Sequence, residues 1–419
     1  MTTVKDSVHD HIEVGGVAAA LMDTPPVQRL RRVSQLGTAS LVYPSANHTR
    51  FEHSLGVYHL ASRALDHLDV HGRRAETVRA AAILHDVGHG PFSHNVEDLI
   101  HRRTGRYHDD VADILEGDEI SHVLDAHEID PDRVLGMIHG EGLLGQLVAG
   151  ELDVDRMDYL VRDAHHTGVP YGTIDHQRLV RALRFVDGDL VLDEGNVQSA
   201  ESLLVARALM NPTVYNHHVA RISKGMLRRA TNALIETGEY AAADVRRMDD
   251  PGLLVALRNN DASAELADRL ADRRLFKRAV WAEMGDVGDP FDDDLFDAPP
   301  DRIADLETAI ADRAGVDPDH VILDVQGRPT MRESTSRVLV NGEVRRLDRQ
   351  STLVRAIQMT QREQWRLGVY APRPETSAVG RAAESVLGLE TDGPLVAESD
   401  SPGRYATLED FAGDHEGGR

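Results

Sequence analysis

The 419-residue chain has no cysteine. That excludes disulfides, thiolate metal sites and cysteine nucleophiles, so any bound metal must rely on nitrogen and oxygen ligands. Lysine is almost absent, with only Lys5, Lys224 and Lys277. No stretch approaches 18 consecutive apolar residues, so no membrane span is expected. The opening MTTVKDSVHDHIEVGG has no basic region followed by an apolar run, so no secretory signal is expected. The expected location is cytoplasmic.

Acid is what the chain has in excess: 70 Asp and Glu against 46 Lys and Arg, a net charge of −24. A densely acidic, lysine-poor surface resembles that of a protein from a high-salt cytoplasm. The alternative, an acidic partner-binding surface, fits less well because the charge is spread along the chain. A field of this sign repels nucleic acid, so no stable nucleic-acid or membrane partner is expected. A small anionic ligand can still bind where arginines gather. Histidine is uneven, with 20 of 22 before residue 221, which points to a His-built site in that half.

The length allows more than one domain. The pattern predicts a mainly α fold: a helical core over 1–240, a helical and acidic connection over 241–300, an α+β C-terminal lobe over 301–390 and an acidic tail over 391–419. Helices are predicted at 25–37, 51–68, 76–88, 90–103 with Pro91 in its first turn, and 152–166. One long helical stretch, bent near Pro212, is predicted over 196–236. TASLVYP at 38–44 reads as a strand or extended link. RFVDGDLVL at 184–192 and RVLVNGEVRRL at 337–347, with Asn341-Gly342 at its turn, read as hairpins. WRLGVYAP at 365–372 reads as another strand.

The stretch LHDVGHGPFSH at 84–94 carries the chemistry. His85 and Asp86 are adjacent at the end of an apolar helix, where neighbours diverge by roughly 100°. Both reach one point only where the turn loosens. A divalent cation there would satisfy both, with His53 and Asp155 as candidates for the remaining ligands. The plainer reading makes Asp86 a helix-end charge and His85 a core histidine.

Three stretches decide between these: NHTRFEHSLGVYHLA (47–61), LHDVGHGPFSH (84–94) and ELDVDRMDYLVRDAHHTGV (151–169). Together they resemble the HD-domain phosphohydrolases, and more narrowly the deoxynucleoside triphosphate triphosphohydrolases related to the SAM- and HD-domain enzyme. The resemblance covers roughly residues 9–235, and no SAM-like module is expected ahead of it. It implies one divalent metal (Mn, Fe, Mg or Zn) held by His53, His85, Asp86 and Asp155, lowering the pKa of a water and polarising a phosphoryl group. It implies that His94 is the general acid, oriented by Glu97, with His89 and His108 near the phosphates. It places Arg50, Arg156, Tyr159 and Arg207 on the phosphates and sugar, Gln35 on the 3′-hydroxyl, and Asp163 and Tyr215 along sugar and base. Arg156 stands where close relatives carry lysine.

The segment DTPPVQRLRRVSQLG (23–37) resembles one that binds an activating guanine nucleotide between subunits, with Asp23, Gln28 and Arg31 reading the base. His218, where a relative has lysine, departs from that pattern. A homodimer or homotetramer is implied. The implied activity is hydrolysis of deoxynucleoside triphosphates to deoxynucleoside plus triphosphate. The alternatives are a 5′-monophosphatase, an alarmone hydrolase or a nonenzymatic nucleotide-binding regulator; a nuclease is disfavoured by the charge.

Overall fold

The computed structural model describes residues 2–287, 295, 298–327 and 335–389. The expected acidic tail at 391–419, and most of the acidic loop at 288–301, lie outside the described residues. The chain divides into two compact units, Met1–Phe276 with Arg328–Trp365, and Lys277–Gly327 with Arg366–Arg419.

The larger unit opens with an antiparallel hairpin, β1 (Thr2–Asp6) and β2 (Asp10–Val14). Short helices α1 (Gly16–Met22) and α2 (Pro25–Arg29) follow. Helix α3 (Arg50–His67) starts where Glu52 accepts hydrogen bonds from the Thr49 amide (2.7 Å) and hydroxyl (3.0 Å), satisfying groups that a helix start leaves open. Helix α4 (Gly72–Leu84) is rich in alanine, with Ala75, Ala80, Ala81 and Ala82 fully buried, and it packs against α3 and α1 at the centre of the core. Small side chains allow that close approach.

Helix α5 (His94–Thr104) ends at Gly105, whose φ of 73° suits glycine. Four short helices follow, α6 (Ala112–Leu115), α7 (Asp118–Ala126), α8 (Pro131–Ile138) and α9 (Gly142–Val148). Helix α10 (Val154–Thr167) is capped by Asp153, whose carboxylate accepts the Arg156 amide at 2.9 Å, and packs on α3. Then come α11 (His176–Ala182), α12 (Val197–Met210), α13 (His218–Glu236), α14 (Ala242–Arg247), α15 (Asp250–Arg258) and α16 (Ala264–Ala271). A four-stranded sheet joins β3 (Leu183–Val186) and β4 (Asp189–Leu192) to β7 (Arg337–Val340) and β8 (Glu343–Arg346); both predicted hairpins form, the second turning at Asn341-Gly342.

The smaller unit is α+β. A three-stranded antiparallel sheet has the order β5 (Lys277–Glu283), β9 (Arg366–Ala371), β6 (Ile322–Val325), with helices over Pro300–Ala314 and Thr376–Leu387 packed on it and on each other. The molecule is mainly helical, as the sequence predicts.

Several expected elements differ. Residues 38–44 form no strand: a 3₁₀ turn spans Gly37–Leu41, because this stretch buries Thr38 against α13, with the Thr38 and Ser223 hydroxyls 2.7 Å apart, and pairs with no strand among the described residues. The helix expected over 25–37 stops at Arg29 and continues as a 3₁₀ turn over Leu30–Arg32. Pro91 lies outside α5, since Phe92 and Ser93 take φ values of 56° and 53° that no right-handed helix contains. The 196–236 stretch breaks into α12 and α13 across a wide turn at Asn211–Tyr215, where Pro212 removes a helical donor. Helix α4 stops at Leu84, one residue before His85, so the backbone loosens where the His-Asp pair needs it.

Candidate metal and phosphate site

Three helices bring four donors together. His53 comes from α3, His85 and Asp86 from the turn after α4, and Asp155 from the first turn of α10. His53 Nε2 lies 2.9 Å from Asp155 Oδ1, 3.3 Å from His85 Nε2 and 3.7 Å from Asp86 Oδ2. His85 Nε2 lies 3.4 Å from Asp86 Oδ1 and 3.9 Å from Asp155 Oδ1. His53 is fully buried and Asp86 nearly so.

The protonation pattern tests whether a cation fits. His53 Nδ1 faces Asp158 Oδ2 at 2.8 Å, and His85 Nδ1 faces the Ala82 carbonyl at 2.9 Å. With each Nδ1 so engaged, the two Nε2 atoms face each other across 3.3 Å, and Asp155 Oδ1 lies 2.9 Å from that of His53. A proton on His53 or a cation between the rings relieves the repulsion of two facing nitrogens, and the Asp86 and Asp155 carboxylates favour either positive charge. Two nitrogens each about 2.1 Å from one cation are spaced by about 3.0–3.4 Å. Burial opposes a charge on His53, yet the Asp155 and Asp158 hydrogen bonds and the Asp86 charge push its pKa up to about 10. The cluster calls for positive charge, and two imidazoles with two carboxylates are a donor set that suits a divalent ion.

The supporting shell includes residues that sequence reasoning missed. Asp158 Oδ2 also accepts Arg162 Nε at 2.8 Å, while Oδ1 accepts Arg162 Nη2 at 3.0 Å and His9 Nε2 at 2.6 Å. Arg162 is fully buried and reaches Asp6 Oδ2 at 2.9 Å, which ties the N-terminal hairpin to His53 through the Asp158 carboxylate. Their signal was spacing: Asp158 follows Asp155 by three and Arg162 follows Asp158 by four, both helical neighbours.

Beside the four donors lies a histidine cluster. The His89 ring stacks on His108, with centroids 4.1 Å apart, and meets His94 edge-on at 4.7 Å. Glu97 holds both outer rings: Oε2 accepts His94 Nδ1 at 2.6 Å and Oε1 accepts His108 Nδ1. Burial works against the Glu97 charge, but these two imidazoles hold its carboxyl far below the usual range. Burial, with Arg50 and His108 nearby, keeps His89 well below its ordinary value and hence neutral. Both His89 ring nitrogens are buried without a hydrogen-bond partner among the described residues, although Nε2 stands 3.3 Å from Asp86 Oδ1. A buried polar ring left unsatisfied marks a place for a ligand.

Arg50 sits between the two clusters. Its Nη1 donates to Asp86 Oδ2 at 2.9 Å and its Nε to Ser93 Oγ at 2.8 Å. Burial opposes the Asp86 charge, but Arg50, His85 and His89 hold its carboxyl well below the usual carboxylate range.

Asp155, Tyr159 and Asp163 recur every four residues on one face of α10. Asp163 Oδ2 accepts the Tyr215 hydroxyl at 2.9 Å, and Oδ1 faces His48 Nε2 at 2.8 Å; His48 was not expected here. Burial raises the Tyr159 pKa to about 12 against the charges of Arg207 and Arg156. Arg156 Nη1 is itself tied to Asp153 Oδ2 at 2.6 Å and to the Gly150 carbonyl. Gln35 is buried, and its side-chain oxygen has no hydrogen-bond partner among the described residues. Asp23, Gln28 and Arg31 gather around α2: Arg31 Nε donates to Gln28 Oε1 at 2.9 Å and its guanidinium lies 3.6 Å over the Phe51 ring, while Asp23 is exposed at the end of α1.

All four donors lie inside the stretch of the chain that matches a known domain family. Residues 50–163 match the HD domain and residues 174–398 the HD associated region; the chain belongs to the HD-domain phosphohydrolase family and is a hydrolase. An uncharacterized protein of Methanocaldococcus jannaschii is 32% identical over 381 residues, covering 89% of this chain and 80% of that one. The deoxynucleoside triphosphate triphosphohydrolase SAMHD1 homolog of Dictyostelium discoideum is 32% identical over 249 residues, 54% of this chain and 48% of that protein. Among solved structures, a phosphohydrolase from Bacteroides thetaiotaomicron superposes with a TM-score of 0.71 at 26% identity, covering 89% of this chain and all of that one. A hypothetical protein from Aquifex aeolicus reaches 0.74 at 29% identity, covering 91% and 99%.

Proposed function

We propose that this protein hydrolyses deoxynucleoside triphosphates to deoxynucleoside and inorganic triphosphate, using one divalent ion held by His53, His85, Asp86 and Asp155. The observation that carries the reading is the face of α10. It runs from Asp155, beside His53 and His85, through Tyr159 to Asp163, which accepts the Tyr215 hydroxyl and faces His48. Eight residues of helix span about 12 Å, enough for a phosphate chain and then a sugar in that order. The half-chain likeness to SAMHD1-type triphosphohydrolases supports the same substrate.

The ion, when bound, supplies a Lewis acid that lowers the pKa of water and polarises a phosphoryl oxygen. Arg50, braced by Asp86 and Ser93, and the neutral His89 bind phosphate oxygens. Water adds to the α-phosphorus, the bond to the 5′-oxygen breaks, and His94 gives that oxygen a proton. Glu97 fixes His94 through Nδ1, which leaves Nε2 to carry the transferred proton. A bound phosphate chain opposes the burial, Arg50 and His108 effects that hold His94 below its ordinary value in the free protein. Tyr215, locked by Asp163, stands to exclude a 2′-hydroxyl.

Incubation of the purified protein with Mn²⁺ and each deoxynucleoside triphosphate, followed by chromatography of the products, tests the reading. Inorganic triphosphate is expected, and none from His85→Ala. Release of monophosphate would place the chain among other HD-type nucleotide hydrolases, and absence of turnover would make it a binding protein. The same reading has a guanine nucleotide at Asp23, Gln28 and Arg31 between subunits of a homodimer or homotetramer. Arg31→Ala then abolishes stimulation by dGTP, and equal activity with and without guanine nucleotide refutes that part.

A further inference from the structure

The turn that leads into His94 is strained and is held from outside the HD domain. Phe92 and Ser93 take φ values of 56° and 53°, two successive non-glycine residues in the left-handed region, immediately before His94. Side-chain sterics disfavour that conformation, so the surroundings must hold it. Two groups do so. The Ser93 hydroxyl donates to the Ser34 carbonyl at 2.6 Å while accepting Arg50 Nε at 2.8 Å. Asp250, the first residue of α15, accepts the Phe92 amide on Oδ1 at 2.6 Å and the Ser34 amide on Oδ2 at 3.0 Å. Ser34 in turn bridges Thr49, next to Arg50. One carboxylate therefore fastens the turn before His94 to the segment that pairs with the residue before Arg50.

Asp250 is buried and has no ion-pair partner among the described residues. Its own neighbour Asp249 is taken by Arg32 at 2.5 Å. An unpaired buried carboxylate is costly. Burial raises its pKa, and only the hydrogen bonds from Phe92 and Ser34 offset this. Both oxygens accept a backbone N–H, a pattern that the ionised carboxylate satisfies in full.

The structure assigns to Asp250 the role of a positioning residue for His94, an inference that rests on the reading of His94 as the proton donor. The HD-associated region would thus complete the active site of the HD domain with a single side chain.

A double-mutant cycle tests this, because residues that act through one another are not additive. Asp250→Asn keeps the size but turns one N–H₂ against a backbone amide. In the wild-type background it should lower turnover about 10- to 100-fold, the scale of a misplaced catalytic group. Bound metal and the melting temperature of the loaded protein serve as controls for folding and cation binding. In the His94→Gln background the same change should cost less than about twofold, since the group it positions is gone. A loss that persists undiminished in His94→Gln, or no loss in either background, overturns the inference alone. Full turnover by His94→Gln overturns the proton-donor reading and the inference with it. If Asp250→Asn does not fold, Asp250→Glu takes its place in the cycle, and the same results support or overturn the inference.

Discussion

Replacing Asp158 by asparagine tests the claim that the cation site is held from behind. The carboxylate accepts four donors: His53 Nδ1 and Arg162 Nε on one oxygen, His9 Nε2 and Arg162 Nη2 on the other. An amide keeps only one acceptor edge. If its oxygen faces His53, its N–H₂ meets the donors of His9 and Arg162, and Arg162 is left with Asp6 as its only carboxylate in this network. Removing one partner of a buried ion pair costs about 3–5 kcal/mol, which a domain of ordinary stability survives. Loosening His53 should also weaken the cation by about 10- to 100-fold, the usual effect of losing such a support. At a free metal concentration about 1,000 times the wild-type Kd, metal stabilises the wild type by about 4.1 kcal/mol and the variant by about 1.4–2.7 kcal/mol. The assays are competition against a chromophoric chelator and thermal melts with and without metal. A folded Asp158→Asn protein that binds the cation as tightly as wild type, with the same metal-induced shift in Tm, refutes the reasoning.

Gly56 on α3 gives a test of opposite sign to helix propensity. Alanine in place of a mid-helix glycine ordinarily gains about 1 kcal/mol. A Cβ here would stand 1.8 Å from Asp158 Oδ1 and 2.6 Å from Arg162 Nη2, so Gly56→Ala should instead cost about 1–3 kcal/mol in a denaturant melt, and a gain in stability refutes the packing argument. The Glu97–His108 pair predicts a pH dependence. Burial opposes both charges, but their mutual hydrogen bond holds Glu97 below its ordinary 4.5 and His108 above its ordinary 6.5. The Glu97 contribution is present above pH 4.5 and fades as pH falls through its folded value. The His108 contribution is present below pH 6.5 and fades as pH rises through its folded value. The stability difference between wild type and His108→Gln should therefore be largest between pH 4.5 and 6.5 and shrink on the alkaline side; a difference constant from pH 5.5 to 9 contradicts the pairing.

What the sequence made legible and what it hid divide along sequence distance. The residues of α10 are readable because helical spacing is a local rule: Asp155, Tyr159 and Asp163 share a face by arithmetic, and the structure puts them there. The His85–Asp86 pair is readable because an apolar helix that ends in a carboxylate demands a counter-charge. Asp6 and Arg162 are 156 residues apart and Asp250 and Phe92 are 158 apart, and no periodicity links either pair. The strand expected at 38–44 failed for the same cause, since β-branched residues favour a strand only where a neighbour pairs with it, and that neighbour is supplied or withheld by tertiary structure. Even so, local anomalies pointed toward the long-range contacts. A glycine inside α3, at Gly56, has no helical reason to be there; it makes room for Asp158 and Arg162. Phenylalanine and serine at 92–93, just after a glycine and a proline, are in a left-handed turn that their own chemistry does not favour; Asp250 holds it. A residue that its own element cannot explain is the trace, within one segment, of a partner elsewhere in the chain. On that reasoning the supports of this site, rather than its ligands, are where substitution should separate the binding of the cation from the transfer of the proton. On the proposed reading, Asp158 acts on the first through His53 and Asp250 on the second through His94.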